Sequence, residues 1–209
     1  MGLKERRERE KAARKGQILA AARQLLFKKG IQSISVNQIA RKAELGVGTI
    51  YFYYQSKEEI FYSLQEEGLD ILFHQIDAIG RTTSPPDDKL RATGMAYLRF
   101  SDEHKDYFDI INYFLATPSV ILGRELKQHI DRKGSRILEL IGGFIRDGIA
   151  EGRFRSVDPK KTAILFWGAL HGLTQFKKLE DTVLEGEAHW QIFTYAVDQL
   201  IGGLIATKE

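Results

Sequence analysis

Groups able to bond to phosphate are concentrated near the N-terminus of the chain. Ser35 and Thr49 carry hydroxyls that could donate to phosphate oxygens, and residues 1–57 hold 13 Lys and Arg against 4 Asp and Glu, a net charge of +9. Residues 58–209 hold 18 Lys and Arg against 24 Asp and Glu, a net charge of −6. Because counterion release supplies most non-specific DNA affinity, this asymmetry favours nucleic-acid binding by the N-terminal segment over a role in solubility alone.

Two short helices joined by a turn are predicted within this basic segment. Ser35 can cap the first helix, and Glu44-Leu45-Gly46 forms the turn between the two. Ser56 and Glu59 have the spacing of a capping box, which predicts the start of a third helix. The apolar residues at helical spacing are Val36, Ile39, Ala40 and Ala43, then Val47, Ile50, Tyr51 and Tyr54. This is the helix-turn-helix pattern, whose second helix enters the major groove of DNA.

An ordered motif of twenty specified positions runs through the same region. It reads Ile18-x-x-Ala21-Ala22-x-x-Leu25-Leu26-Phe27-x-x-Gly30, then Ile39-Ala40-x-x-Ala43, then Gly48-Thr49-Ile50-Tyr51-Phe52-Tyr53-Tyr54-x-Ser56-Lys57-Glu58. The motif resembles the DNA-binding signature of the TetR family of transcriptional regulators. Two positions depart from the usual pattern, since Glu44 stands where glycine is common and Gly46 where a capping serine is common.

The resemblance implies a set of DNA-contacting residues. They are Ser35, Asn37, Val47, Gly48, Thr49, Tyr51, Tyr53 and Lys57. The recognition helix lacks the arginine or asparagine that usually makes a bidentate hydrogen bond to a base. Sequence specificity is therefore expected from few direct contacts together with DNA shape. Tyr51 and Tyr53 are expected to be exposed, and Phe52 and Tyr54 to be buried.

The sequence predicts an all-α fold. An N-terminal three-helix bundle with the helix-turn-helix (residues 1–57) precedes a larger helical domain for ligand binding and dimerisation (residues 58–209). Its helices are expected at Ser56–Ile79, Asp87–Glu103, Lys105–Thr117, from Pro118 to Glu151 with a possible interruption at Lys133-Gly134, Pro159–Lys178 and Glu187–Thr207. No sustained alternation of apolar and polar residues predicts a strand.

The segment Lys4–Lys15 carries seven basic and three acidic side chains and almost no apolar residue. It could extend the first helix and reach DNA phosphates or the adjacent minor groove, or it could be a solvated tail with no defined contact. The sequence leaves these alternatives open.

The last two predicted helices are the expected dimer surface. The segment Ala163–Leu173 is apolar nearly all round, which a helix tolerates only when both sides are covered. The proposed contact residues are Gly168, Gly172, Phe193, Val197, Leu200, Ile201 and Leu204. Family resemblance implies a four-helix bundle between two copies, and DNA requires recognition helices about 34 to 36 Å apart. The alternative is that the glycines make room for a ligand.

Aromatic residues at helical spacing fill the middle of the chain, where they usually form core. The resemblance implies instead a small-molecule effector, apolar or aromatic, among these helices. The candidate lining is Phe73, Met95, Tyr97, Phe100, Phe108, Ile111, Tyr113, Phe114, Phe144 and Trp167, with Asn112, His171 and Gln175 as polar anchors. A histidine on an otherwise apolar helix, such as His171, is more often a hydrogen-bonded core residue than a ligand contact.

Signatures of catalysis are missing from the sequence. It contains no His-Glu-x-x-His, Gly-x-Ser-x-Gly or Walker-type motif and no cysteine, so neither an enzyme nor a cofactor or metal site is expected. The longest apolar run, near Ala163–Leu170, is far shorter than the roughly twenty residues of a membrane span, so a cytoplasmic location is expected.

The predicted function is a homodimeric repressor that a ligand releases from a pseudopalindromic operator. The alternatives are an architectural DNA-binding protein without an effector or an all-α enzyme.

Overall fold

The computed structural model describes residues 2–29, 33–116 and 124–206, which contain nine α-helices. The helices are α1 Leu3–Lys29, α2 Val36–Lys42, α3 Val47–Tyr53, α4 Lys57–Gly80, α5 Pro86–Glu103, α6 Lys105–Ala116, α7 Arg124–Ala150, α8 Pro159–Gln175 and α9 His189–Gly202, with a 3-10 helix at Phe176–Leu179. The all-α prediction is confirmed. Gly30 of the family motif and the predicted boundaries at Thr117, Pro118 and Thr207 lie outside the described residues.

The chain forms two compact units. Unit 1 comprises Met1–Gly68 with Lys105–Ile130, and unit 2 comprises Leu69–His104 with Asp131–Glu209. Each unit buries its own apolar residues. Unit 1 buries Ile18, Ala22, Ile39, Ile60, Leu64 and Ile110, and unit 2 buries Leu72, Leu90, Phe100, Ile141, Leu170 and Val197.

Local sequence explains where the helices begin. The Asp158 carboxylate accepts hydrogen bonds from the backbone N–H groups of Lys160 and Lys161, each at 3.0 Å, and Pro159 occupies the first turn of α8. The backbone bond from Lys161, followed by the charge of the Lys161 ammonium and the backbone bond from Lys160, lowers the pKa of Asp158. The helix α5 starts similarly, with Pro86 in its first turn.

Helix α7 is continuous through Gly134, so the interruption considered at Lys133-Gly134 is absent. A glycine inside a helix costs only about 1 kcal/mol relative to alanine, and the buried face that includes Ile137 and Ile141 stabilises the helix beyond it. The described residues form no strand. Phe154 and Ile205 make an isolated antiparallel bridge inside unit 2. No helix in the described ranges has the length and apolarity needed to cross a bilayer.

Close helix contacts fix the arrangement inside each unit. In unit 1, a Cβ placed on Gly68 of α4 would lie 2.8 Å from the Cβ of Tyr107 in α6. The Tyr107 hydroxyl donates to Glu67 at 2.9 Å, and burial together with this carboxylate raises the pKa of Tyr107 to about 12. In unit 2, a Cβ on Gly94 of α5 would lie 2.9 Å from Val197 of α9. Small residues therefore allow both helix pairs to approach closely.

Candidate nucleic-acid interface

Helix α1 holds the helix-turn-helix in place. Its residues Ile18 and Ala22 are fully buried in unit 1, and the Gln17 side-chain amide donates to the backbone carbonyl of Ala43 at 2.7 Å. Ala43 is the C-cap of α2. The bond therefore fastens α1 to the start of the turn that orients α3.

Helix α2 begins with a complete capping box. The backbone N–H of Gln38 donates to the Ser35 hydroxyl at 3.3 Å, and the N–H of Ser35 donates to the Gln38 side chain at 2.9 Å. The N-cap predicted at Ser35 is confirmed. Ser35 is exposed, as is Asn37 in the first turn of α2.

The turn between α2 and α3 contains the two residues that depart from the family pattern. Glu44 has φ 56°, the left-handed conformation that favours glycine. Gly46 is the N-cap of α3 with φ −68° and makes no side-chain capping bond. This position does not require glycine, because the φ is negative and an added Cβ would meet only the Thr49 hydroxyl, at 3.7 Å.

Two buried residues anchor the recognition helix α3. Ile50 lies in the core of unit 1, and Tyr54, immediately after the helix, is 2% exposed. Burial raises the pKa of Tyr54 to about 12, so its phenol stays protonated at neutral pH. The Lys15 ammonium lies 5.1 Å from the centre of the Tyr54 ring. The expected burial of Tyr54 is confirmed.

The opposite side of α3 faces solvent. Tyr51 is 52% exposed, Val47 and Gly48 are exposed, and Thr49 and Tyr53 are half-buried. The expectation that Phe52 is buried was wrong, because its side chain is 79% exposed and packs edge-on against Tyr53. At 100° per residue Phe52 lies about 200° from Ile50, on the outer face of the helix. Sequence reasoning thus missed an exposed aromatic side chain that the helical period itself could have identified.

Helix α4 begins next to α3. Ser56 accepts a hydrogen bond from the N–H of Glu59 at 3.2 Å, as a capping box requires, but the Glu59 carboxylate bonds the N–H of Gln55 instead of Ser56. Lys57 is the first residue of α4 and is half-buried. A cation is thereby held within one turn of the exposed end of α3.

Two sequence profiles of one regulator family match the chain. The profile described as "Bacterial regulatory proteins, tetR family" covers residues 18–64, and "Tetracyclin repressor-like, C-terminal domain" covers residues 83–175. Together they span most of the sequence, including the helix-turn-helix described above. The chain belongs to the TetR family. It is accordingly a DNA-binding transcriptional regulator.

Other transcriptional regulators and solved structures resemble the chain over most of its length. The HTH-type transcriptional regulator YhgD of Bacillus subtilis is 29% identical over 73% of this chain and 78% of its own. The structure of FadR from Bacillus subtilis in complex with stearoyl-CoA has a TM-score of 0.74 at 20% identity, covering 90% of this chain and 98% of FadR. AibR in complex with isovaleryl coenzyme A and operator DNA has a TM-score of 0.70 at 19% identity, covering 92% of this chain and all of AibR.

The predicted effector residues of this TetR-family chain belong to both units, and a group of them meets inside unit 2. The Tyr97 hydroxyl lies 2.8 Å from Nδ1 of His171, and the Tyr97 ring packs edge-on against Trp167 with centroids 4.7 Å apart. Tyr97 is buried and His171 half-buried, and desolvation lowers the pKa of His171 and raises that of Tyr97. This favours a neutral imidazole.

The other predicted effector residues in unit 2 have separate neighbours. The Arg136 guanidinium carbon lies 3.8 Å from the centre of the Phe73 ring, and the Lys89 ammonium nitrogen lies 5.8 Å from the centre of the Phe144 ring. Met95 accepts a weak bond from the Thr194 hydroxyl, at 3.7 Å. Phe100 is fully buried, and Gln175 is half-buried at the end of α8.

The predicted effector residues in unit 1 all lie on α6. Phe108 and Ile111 are buried, and Asn112, Tyr113 and Phe114 are half-buried. Phe114 packs against Tyr62 of α4 with ring centroids 4.4 Å apart. Whether the two groups bind an effector stays a prediction.

The predicted dimer residues fall into two classes. Gly168 and Gly172 are exposed on α8 with open space around them, whereas Phe193, Val197, Ile201 and Leu204 are buried in the core of unit 2 and Leu200 is half-buried. The exposed large apolar residues of α8 and α9 are a different set. They are Ile164, Leu165, Trp190 and Tyr195. Sequence periodicity identified the apolar stripe of α9 but could not tell core from partner.

Proposed function

We propose that this protein is a homodimeric repressor that a small, mainly apolar effector releases from a pseudopalindromic operator. The observation that carries the DNA side is the solvent-facing surface of α3, which lies in a segment of net charge +9. Phosphate contacts would supply affinity, and the few groups facing the groove would supply sequence preference.

Each predicted DNA contact has a chemical role in this proposal. Val47, Gly48 and Thr49 face base edges, where a methyl group or bare backbone can approach a thymine methyl. Tyr51, Tyr53 and Lys57 bond phosphates or neighbouring bases. At the start of α2, Ser35 bonds phosphate through its hydroxyl and Asn37 contacts bases. The exposure of Tyr51 and of α2's first turn supports these roles.

Dimerisation would bring two such surfaces to successive major grooves. The exposed strip of unit 2 formed by Leu165, Gly168 and Gly172 on α8, with Trp190 and Tyr195 on α9, supports this part of the proposal. The glycines let a second helix approach closely, and the large apolar side chains supply area to bury. Phe193 and its buried neighbours would support the strip from within.

The proposed effector is apolar or aromatic, with one or two polar anchors. The contact of Tyr97 with Trp167 and His171 supplies aromatic surface and hydrogen-bonding groups. FadR and AibR were solved with acyl-coenzyme A thioesters, so acyl thioesters are the first compounds to test.

The switch requires the effector to bind the released state better than the DNA-bound state, by about 1 to 3 kcal/mol in typical systems. A tilt of α4 would transmit the change, because the chain passes from unit 1 to unit 2 inside that helix.

Substitution of two predicted phosphate contacts tests the DNA side. Tyr53→Ala and Lys57→Ala should each weaken binding to a duplex selected from a random pool by about tenfold, and Lys57→Ala should lower the salt slope by about one. Lys178→Ala, which removes an exposed charge in unit 2, is the control and should bind normally. Unchanged binding by both test variants would contradict the proposed surface.

Titration of the operator complex with acyl thioesters tests the switch. The compounds that bind should lower operator affinity at saturation, and Trp167→Ala should reduce that response while leaving operator binding without ligand intact. If every compound that binds leaves operator affinity unchanged, the proposed release mechanism is wrong although the DNA-binding function stands.

A further inference from the structure

Helix α1 extends far beyond the part that packs in unit 1. It begins at Leu3, yet its first buried residue is Ile18, and every described side chain from Lys4 to Arg14 is exposed. Residues 4–14 extend the helix by about 16 Å at 1.5 Å per residue. A helix of this length without packing is marginal in water, so an additional partner would stabilise it.

The face that α1 buries continues into the extension as a row of cations. Positions 4, 7, 11, 14, 18, 21 and 25 follow alternating steps of three and four residues and therefore lie on one side of the helix. The last three are Ile18, Ala21 and Leu25, of which Ile18 and Ala21 are buried. The first four, Lys4, Arg7, Lys11 and Arg14, are all basic, and we call them the basic stripe.

The acidic residues of the extension lie mostly off this stripe. Arg6 pairs with Glu10 at 2.9 Å on another side of the helix, and Glu5 accepts from the backbone N–H of Gly2. Glu8 lies at the edge of the stripe. Among the described residues, Lys4, Arg7 and Lys11 take part in no ion pair or hydrogen bond. Three cations on one face thus remain available to an anionic partner.

Two contacts place the base of the stripe next to the helix-turn-helix. Arg14 donates to Gln17 at 2.8 Å, and Gln17 in turn donates to Ala43 at the turn before α3. Lys15 lies against the ring of Tyr54, directly after α3. The extension therefore starts beside the proposed DNA surface, within unit 1, and carries positive charge away from it.

We propose that the N-terminal extension of α1 is a second DNA-binding element, whose basic stripe contacts backbone phosphates outside the base pairs that α3 reads. This inference rests on the proposed DNA-binding function. A length of about 16 Å corresponds to roughly five base-pair steps, and the regular spacing of the cations suits a row of phosphates. The contact would add affinity and no sequence preference.

The test compares two triple variants that lose the same charge. Lys4→Ala/Arg7→Ala/Lys11→Ala, the stripe variant, removes three of the four cations of the basic stripe and keeps Arg14, which bonds Gln17. Lys160→Ala/Lys161→Ala/Lys178→Ala, the unit 2 variant, removes three exposed lysines of unit 2. Binding of the full chain to one selected duplex is measured by fluorescence anisotropy at several salt concentrations. The stripe variant should bind at least about tenfold more weakly at 0.1 M salt, with a log–log salt slope reduced by about 0.9 for each lost contact.

Hydroxyl-radical footprinting locates the contact. The parent chain should protect backbone positions on both sides of each half-site, and the stripe variant should lose only this flanking protection. The inference is overturned if the stripe variant keeps the parent's salt slope and footprint. It is also overturned if the unit 2 variant loses as much DNA affinity as the stripe variant, or if the stripe variant loses protection inside the half-sites. If the parent binds no duplex, the proposed function itself fails. Stripe-dependent binding to phosphatidylglycerol vesicles with unchanged DNA binding would assign the stripe to a membrane surface and overturn the inference.

Discussion

At the scale of single residues, Glu44 is the strained position of the helix-turn-helix. A non-glycine residue in the left-handed region costs about 1 to 2 kcal/mol, and Glu44 has φ 56°. Glu44→Gly should therefore stabilise the protein by about 1 kcal/mol, measured as the free energy of unfolding in urea. Glu44→Ala is the matched control, because it removes the carboxylate but keeps the strain. Equal stabilisation by both variants would assign the effect to charge and contradict the backbone argument.

His171 gives the stability of the protein a defined pH dependence. Desolvation lowers its pKa in the folded state, so between the folded and unfolded pKa values the unfolded chain binds more protons. The stabilising contribution is present above the ordinary value near 6.5 and is lost as the pH falls through the folded pKa. The difference between the unfolding free energies at pH 7 and pH 5 should therefore be smaller in His171→Gln than in the parent. The substitution should lower the slope of the unfolding free energy against pH by at most about 1.4 kcal/mol per pH unit. An unchanged slope would contradict the assignment.

The sequence predicted the burial of Tyr54 and the exposure of Tyr51, whereas Phe52 is exposed and Tyr53 is half-buried. Tyr54 shares a face with Ile50 and is buried as expected, because helical periodicity decides which residues can reach the core. Phe52 does not lie on that face, so its expected burial did not follow from the helical period. Similarly, the apolar stripe of α9 could be read from the sequence, but its role in the chain's own core depends on α5 and α8, which periodicity does not specify.

At the scale of elements, close packing between α5 and α9 makes Gly94 sensitive to substitution. An added methyl would lie 2.9 Å and 3.2 Å from the two Cγ atoms of Val197, whose short side chain is fully buried and cannot move aside. Gly94→Ala should destabilise the protein by about 1 to 3 kcal/mol, measured by thermal or urea unfolding.

Gly16 offers the matched control for this substitution. It lies in α1, where an added methyl meets nothing within 4 Å, so Gly16→Ala should raise helix stability by about 0.5 to 1 kcal/mol. If both alanine variants were stabilising, the close approach of α5 and α9 would be wrong.

Helix positions were predictable because caps and prolines mark them locally. Asp158 and Pro159 fix the start of α8, and the two prolines before Asp87 fix the start of α5. The sequence could not give the continuity of α7 through Gly134 or the change to a 3-10 helix at Phe176, since tertiary packing outweighs the local preference there.

At the scale of the whole molecule, charge is segregated along the chain. The first 57 residues carry a net charge of +9 and the remainder −6. The acidic remainder would be repelled by DNA and so would favour the orientation in which the helix-turn-helix faces the duplex. The exposed apolar residues of α8 and α9 lie in this acidic part, which is consistent with their proposed role in pairing two copies.

Leu165→Glu tests that pairing. Leu165 is 64% exposed beside Gly168, and a carboxylate buried between two copies would lose its hydration without a partner. The variant should sediment as a monomer at concentrations where the parent is a dimer, and it should bind a two-half-site operator with the affinity of a single half-site. Val183→Glu, at a 63% exposed position outside α8 and α9, should leave both properties unchanged. A Leu165→Glu protein that remains dimeric would exclude this face, whereas dissociation caused by Val183→Glu would move the interface to the loop before α9.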